Sequence, residues 1–242
     1  MKKSMKLSDI IFSFISYLLL LFFGILLAPF ILIFMLMPAQ WRYQSRVYNR
    51  FVQFVYWLAL RCTLLPIAIE GACNIPCEPA IIVANHQSSL DVPLVGLLMH
   101  GYPHVWLAKV ELFESYLLRF LLRRLAIPID VSTPNKAMRS LVTALAVIRD
   151  KPIHAIIFPE GGRYIDGKVH DFFAGFVMLA KKTGRPVVPV HIFDAYKVYP
   201  PGSFIAHRHP IKVVVGKPMR MNEGETDKAF KDRVQVWFVA QT

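Results

Sequence analysis

The 242-residue chain carries 28 Lys and Arg against 16 Asp and Glu, a net charge of +12, and 55% of its residues are hydrophobic while only 18% are charged. A charged fraction below the ~25% of ordinary soluble domains excludes a plain water-soluble globule, and the cationic excess points to polyanions: lipid headgroups, phosphate-bearing molecules or nucleic acid. Cys62, Cys73 and Cys77 are too few and too uneven for a disulfide framework, and no second ligand pair stands near Cys73 and Cys77 to complete a metal site.

The apolar excess is concentrated at the start. Residues 9–38 hold a single charge, Asp9. The run exceeds the ~20 residues that cross a bilayer core. It is also too long for a cleavable signal and lacks an A-x-A-like site, so it reads as a retained membrane anchor. Lys2, Lys3 and Lys6 precede it and Arg42, Arg46 and Arg50 follow it, so charge does not orient it. Pro29 interrupts it. A single span fits, and so does a bent helix or re-entrant hairpin with both ends on the cytoplasmic side. Residues 51–66 carry Phe51, Phe54, Tyr56 and Trp57 with Arg61. They read as an interfacial helix or as an ordinary core helix. Residues 1–67 thus form an anchor segment and 68–242 a second domain.

From residue 68 short apolar runs alternate with helical ones. Strands are expected at 80–84, 104–108, 126–130, 155–159, 186–192 and 211–216. Helices are expected at 89–100, 111–125, 134–150, 171–184 and 226–240, with Pro134 at a first helical position and Gly184 as a stop. This alternation predicts an α/β domain, its central, mainly parallel sheet flanked by helices on both faces. In such sheets ligands bind beyond the carboxyl ends of the strands.

Two stretches sit at such ends. The first is NHQSSLD, residues 85–91. His86 is suited to take a proton from a hydroxyl near neutral pH, and Asp91 is close enough to hold its other ring nitrogen. The competing reading is structural: Ser88-x-x-Asp91 also fits a capping box, with Ser88 or Ser89 as cap. The second stretch is FPEGGR, residues 158–163. Gly161 and Gly162 let backbone approach a ligand, Arg163 offers planar recognition of phosphate, and Glu160 can orient it. A polar surface turn is the bland alternative. A third strand, PVVPV at 186–190, ends near the same edge.

In this order, with Lys109 before a short helix, IPID at 127–130, DGK at 166–168 and VPV at 188–190, the blocks resemble the glycerolipid acyltransferase family, the 1-acylglycerol-3-phosphate acyltransferase-like proteins. The resemblance covers roughly residues 70–220. It implies acyl transfer from a thioester, acyl-CoA or acyl carrier protein, to the free hydroxyl of a lysophospholipid, giving phosphatidic acid at the cytoplasmic face of a membrane. No metal and no cofactor beyond that co-substrate is implied. His86 would be the base and Asp91 its orienter. Glu160, Gly161, Gly162 and Arg163 match the block that binds glycerol phosphate, Lys109 a basic position that helps hold it, and Pro189 an element shaping the acyl or thioester pocket. Three places depart from the common pattern. Val131 stands where Arg is frequent, Gly162 and Tyr164 replace Thr and Ser, and Phe173 and Ala174 replace a basic pair. With fewer phosphate ligands, unless Lys136 or Arg139 substitutes, another lysophospholipid or a non-phosphate lysolipid stays open as acceptor. An esterase built on Ser88 or Ser89 lacks the G-x-S-x-G elbow. A lipid-binding protein with a dead site sits poorly with an intact His86 and Asp91. No nucleic-acid-binding motif accompanies the charge.

Overall fold

The computed structural model describes residues 6–38, 41 and 45–241. Lys2, Lys3 and Arg42 of the basic flanks lie outside them. Helix α1, Leu7–Leu36, continues unbroken through Pro29, so no hairpin forms within the apolar run. The chain reverses after α1, and α2 follows at Arg46–Cys62. Phe34 meets Tyr48 and Phe51 at ring distances of 5.6 and 4.7 Å, and Phe30 reaches Phe51 at 6.5 Å. The pairing descends α1 as it ascends α2, so the two are antiparallel. The aromatic cluster at 51–57 marks only the middle of α2. Its start is set by Ser45, whose hydroxyl accepts from the Tyr48 amide at 3.1 Å and caps the helix.

The second domain runs β1 (Ile67–Glu70), β2 (Ile81–Ala84), α3 (Asp91–Leu97), β3 (His104–Lys109), α4 (Tyr116–Leu125), β4 (Ala126–Ile129), α5 (Pro134–Ile148), β5 (His154–Ile157), α6 (Gly175–Thr183), β6 (Val187–Phe193), α7 (Ala195–Val198), β7 (Ile211–Val215) and α8 (Asp227–Val239). The seven strands form one sheet in the order β1-β7-β6-β2-β5-β3-β4. Every neighbouring pair is parallel except β6 with β7. The α/β architecture with a mainly parallel sheet is the one the alternation predicts.

Strand periodicity divides the core. Ile82 and Ala84 of β2 face one layer with Leu94 and Val95 of α3, Leu98 just after it, and Tyr56 and Leu60 of α2. Ile81 and Val83 face the other, with Ala144 and Ile148 of α5, Phe176 and Leu179 of α6 and Phe230 and Phe238 of α8. Both faces of β2 are therefore buried, which is why it reads as a continuous apolar run rather than an alternating one. The helix expected at 111–125 splits. Val110–Phe113 is a tight 3₁₀ turn, and α4 begins only after Ser115. The helix expected from 171 begins at Gly175, because the Phe173 amide is drawn off to the Pro159 carbonyl at 2.9 Å. Parallel pairing of β2, β5, β3 and β4 brings their carboxyl ends together. The turns after β2 and β5, and Lys109 at the end of β3, thus lie along one edge.

Candidate active site

The turn after β2 is pinned from below. Asn85 forms two hydrogen bonds with the Ile192 backbone of β6, at 2.9 and 2.7 Å, and the Gln87 side chain accepts from the Ala195 amide at 3.1 Å. Between these anchors His86 projects upward, its side chain 15% exposed. Its Nδ1 lies 2.8 Å from Asp91 Oδ2, and Asp91 is wholly buried at the first turn of α3. The same Oδ2 accepts from the amides of Gln87 at 2.6 Å and Ser88 at 2.8 Å. One carboxylate oxygen thus holds the imidazole and two amides of the turn before α3, whose own cap position, Leu90, has no side-chain cap.

The other half of a capping box is missing. The Ser88 hydroxyl accepts from the Leu90 amide at 3.3 Å and donates to the Tyr199 carbonyl at 2.8 Å. Ser88 is fully buried and so engaged, and it makes no bond to His86. What lies at His86 Nε2, 3.2 Å away, is Arg163 Nε. With Asp91 accepting the Nδ1 proton, Nε2 is the acceptor, and the guanidinium caps the lone pair a base would use.

The turn after β5 is tied to this one through the backbone. The Tyr164 amide donates to the His86 carbonyl at 3.1 Å, and the Glu160 carboxyl lies beside the backbone of His86 and of His170. Glu160 is 4% exposed, and its Oε1 is buried with no hydrogen-bond partner among the described residues. Burial pushes its carboxyl up to about 8, and the negative charges of Asp91 and Asp166 act the same way. Between its ordinary value of 4.5 and about 8 the folded state keeps a proton that the unfolded chain releases. Stability is therefore highest below that window and falls as pH rises through it. Glu160→Gln keeps an accepting oxygen and does not titrate. Its melting temperature relative to the parent is expected to climb between pH 5 and pH 8, and an offset constant with pH would contradict this.

The two glycines differ. Gly161 has φ +65°, and a Cβ there would come 2.7 Å from the Phe173 ring, so a side chain is barred twice over. A Cβ on Gly162 would meet Tyr164 at an ordinary 3.5 Å. Lys109 is exposed, and it shares the wall of a cavity of about 350 Å³ with Leu107, Ile129, Leu141, Phe158, Gly161 and Phe173. That wall is mostly apolar, and Phe158 also stacks on His86, with ring centres 4.1 Å apart and planes 11° off parallel. The cavity and His86 therefore share one ring. Pro189 is not in this wall. It is buried within β6, paired with Val83, and its carbonyl accepts from Gly216 at 2.8 Å. A missing N–H is tolerated there because the ladder to β7 begins only at Val190. Lys136, a possible replacement phosphate ligand, is paired with Asp130 at 3.4 Å.

That Phe158 stacks on His86 and Arg163 meets its Nε2 had no signal in the sequence, since stacking and side-chain aim depend on how two loops meet. Residues 66–193, more than half the chain, match the model of the family described as Acyltransferase. The chain belongs to the acyltransferase family. Among relatives of this acyltransferase, the 1-acyl-sn-glycerol-3-phosphate acyltransferase of Limnanthes douglasii is 32% identical over 80% of the chain and 69% of its own length. The protein of that name from Pseudomonas aeruginosa is 29% identical over 84% and 78%. The chloroplastic one of Brassica napus is 28% identical over 79% of the chain, which spans only 54% of that relative. The crystal structure of the 1-acyl-sn-glycerophosphate acyltransferase PlsC from Thermotoga maritima superposes with a TM-score of 0.79, covering 98% of this chain and 96% of that one at 24% identity, and shows the same fold.

Proposed function

We propose that this acyltransferase moves a fatty acyl group from an acyl thioester to the free hydroxyl of 1-acylglycerol-3-phosphate. The observation that carries the reading is the oriented pair: His86 Nδ1 on buried Asp91, Nε2 turned out toward Arg163, and an apolar cavity one ring away. A phosphate on the acceptor competes for Arg163, with Lys109 nearby, and withdraws the guanidinium from Nε2. Nε2 then takes the hydroxyl proton as the oxygen attacks the thioester carbonyl, while Asp91 stabilises the imidazolium. The tetrahedral intermediate expels the thiolate, which recovers that proton from Nε2. The cavity suits the apolar chain of the donor. Acyl-CoA serves this step as well as acyl carrier protein, and the chain's own residues need no metal for it. Purified protein in mixed micelles, given labelled acyl-CoA and a panel of lysolipids, should acylate the lysophosphatidate fastest. Arg163→Ala and Lys109→Ala should raise the KM of that acceptor more than that of acyl-CoA. Preference for a lysolipid without a terminal phosphate monoester would transfer the assignment to that acceptor.

α1 supports a placement on a membrane. Its length and composition suffice to cross a bilayer. Yet its first half is fastened to the catalytic domain: Asp9 pairs with His207 at 2.9 Å, Ser13 accepts from the Ala206 amide at 2.8 Å, and Tyr17 donates to the Phe204 carbonyl at 2.8 Å. Its last turns are fastened to α2, which packs on α3. From Tyr17 to Phe30 the helix rises only ~20 Å. That is short of a ~30 Å hydrocarbon core. Leu18, Leu21, Phe22, Ile25 and Leu26 between them are each more than half exposed. The reading is a helix sunk into one leaflet, on the side where a soluble thioester arrives. Exposed Cys73 and Cys77 mark the side of the catalytic domain. In sealed vesicles an impermeant thiol reagent should reach Lys6→Cys from the side that labels those cysteines. Labelling from opposite sides would establish a crossing.

A further inference from the structure

The two N-terminal helices do more than touch the catalytic domain, for each is linked by side chains to a different member of the catalytic pair. From α2, Tyr56 packs its ring against α3 at Gly96, where even a methyl group would come within 2.4 Å of it. Its hydroxyl accepts from Trp106 Nε1 at 3.0 Å and donates to His104 Nε2 at 3.2 Å; His104 Nδ1 in turn donates to the Tyr102 carbonyl at 3.0 Å. Trp106 stacks on Phe158 at 5.7 Å and 24°, and Phe158 stacks on His86 at 4.1 Å and 11°. From α1, the Tyr17 hydroxyl lies 3.1 Å from that of Tyr199. The Tyr199 carbonyl accepts from the Ser88 hydroxyl at 2.8 Å, and the Ser88 amide donates to Asp91 Oδ2 at 2.8 Å.

We propose that α1 and α2 are positioning elements of the active site: Tyr56, through Trp106 and Phe158, fixes the plane of the His86 ring, and Tyr17, through Tyr199 and Ser88, fixes the Asp91 carboxylate. This rests on His86 being the base. The physical ground is that, once Arg163 is withdrawn from Nε2, a planar ring held at one nitrogen can still tilt, and a parallel aromatic face resists the tilt. Likewise a carboxylate serving three donors keeps its place only while those donors keep theirs. General-base catalysis depends on such placement, since small misalignments of a reacting group cost large factors in rate. Both struts begin on helices whose other surfaces are apolar and exposed, so the pair is best held when those helices are seated in lipid. An anchor alone would need none of these contacts.

The test uses the full chain with Tyr17→Phe and Tyr56→Phe, which keep the rings and remove one hydroxyl each, and Trp106→Phe as a second break in the α2 strut. Vesicle co-sedimentation and melting temperature are measured beside kcat and both KM values, well below the melting transition. The rate at which diethyl pyrocarbonate modifies His86, read on its peptide by mass, needs no substrate. The expected result is a three- to tenfold fall in kcat with both KM values within twofold and vesicle binding intact. His86 modification should be at least threefold faster in Tyr56→Phe and Trp106→Phe. Parental kcat and His86 reactivity in vesicle-bound, folded variants would overturn the proposal and leave the helices as anchors only. An inactive parent whose His86 reactivity still responds to Tyr56→Phe would count against the proposed reaction and in favour of the strut.

Discussion

Replacing His86 with alanine is expected to lower kcat by about 10²–10⁴-fold, the usual worth of a positioned general base. The fold should survive. The imidazole is at the surface end of its turn, and the turn itself is held by Asn85, Gln87 and the Tyr164 amide rather than by the ring. What the variant leaves behind is informative. Phe158 loses its stacking partner and Arg163 its acceptor, but the cavity and the cations remain. KM values should therefore change far less than kcat. Turnover near the parental rate from a folded His86→Ala protein would remove His86 from the mechanism.

Asp91→Asn is expected to cost about 10²–10³-fold in kcat with a melting temperature within a few degrees of the parent. The amides of Gln87 and Ser88 both point at Oδ2, so the new side chain must present its oxygen there and its NH₂ at the other position. The oxygen still accepts from His86 Nδ1, and the tautomer is preserved. What disappears is the negative charge that stabilises the imidazolium, and one unit charge at ~4 Å and an effective dielectric of ~20 is worth ~4 kcal/mol. Full activity with a clearly lowered melting temperature would leave Asp91 with a structural role alone.

The sheet was legible because its strands are apolar runs with helices between them, and parallel order follows from that alternation. β1 was passed over, since four residues of alternating burial do not stand out after a long apolar segment. Of the site, His86 and Asp91 were legible because they sit at a strand's end at a spacing one turn can close. Glu160, expected in the block that binds glycerol phosphate, is only 4% exposed, and Pro189, expected to shape the acyl or thioester pocket, is buried within β6. Residue type gives the chemistry of a group. Which way it points is decided by packing between segments far apart in sequence. That is also why the struts from Tyr17 and Tyr56 had no trace in the motifs.

The contact between Arg163 and His86 bears on economy as well as on rate. A thioester is prone to attack by water, and an imidazole with a free lone pair beside it is a hydrolase in waiting. In the structure that lone pair faces a guanidinium donor instead. On the proposed reading, the anion that lifts the guanidinium away also brings the hydroxyl to be acylated, so the base is released only when a productive nucleophile is in place. On the same reading, activated fatty acids are spared from idle cleavage, and discrimination against water, the most abundant competing nucleophile, rests on the hydrogen bond from Arg163 to His86.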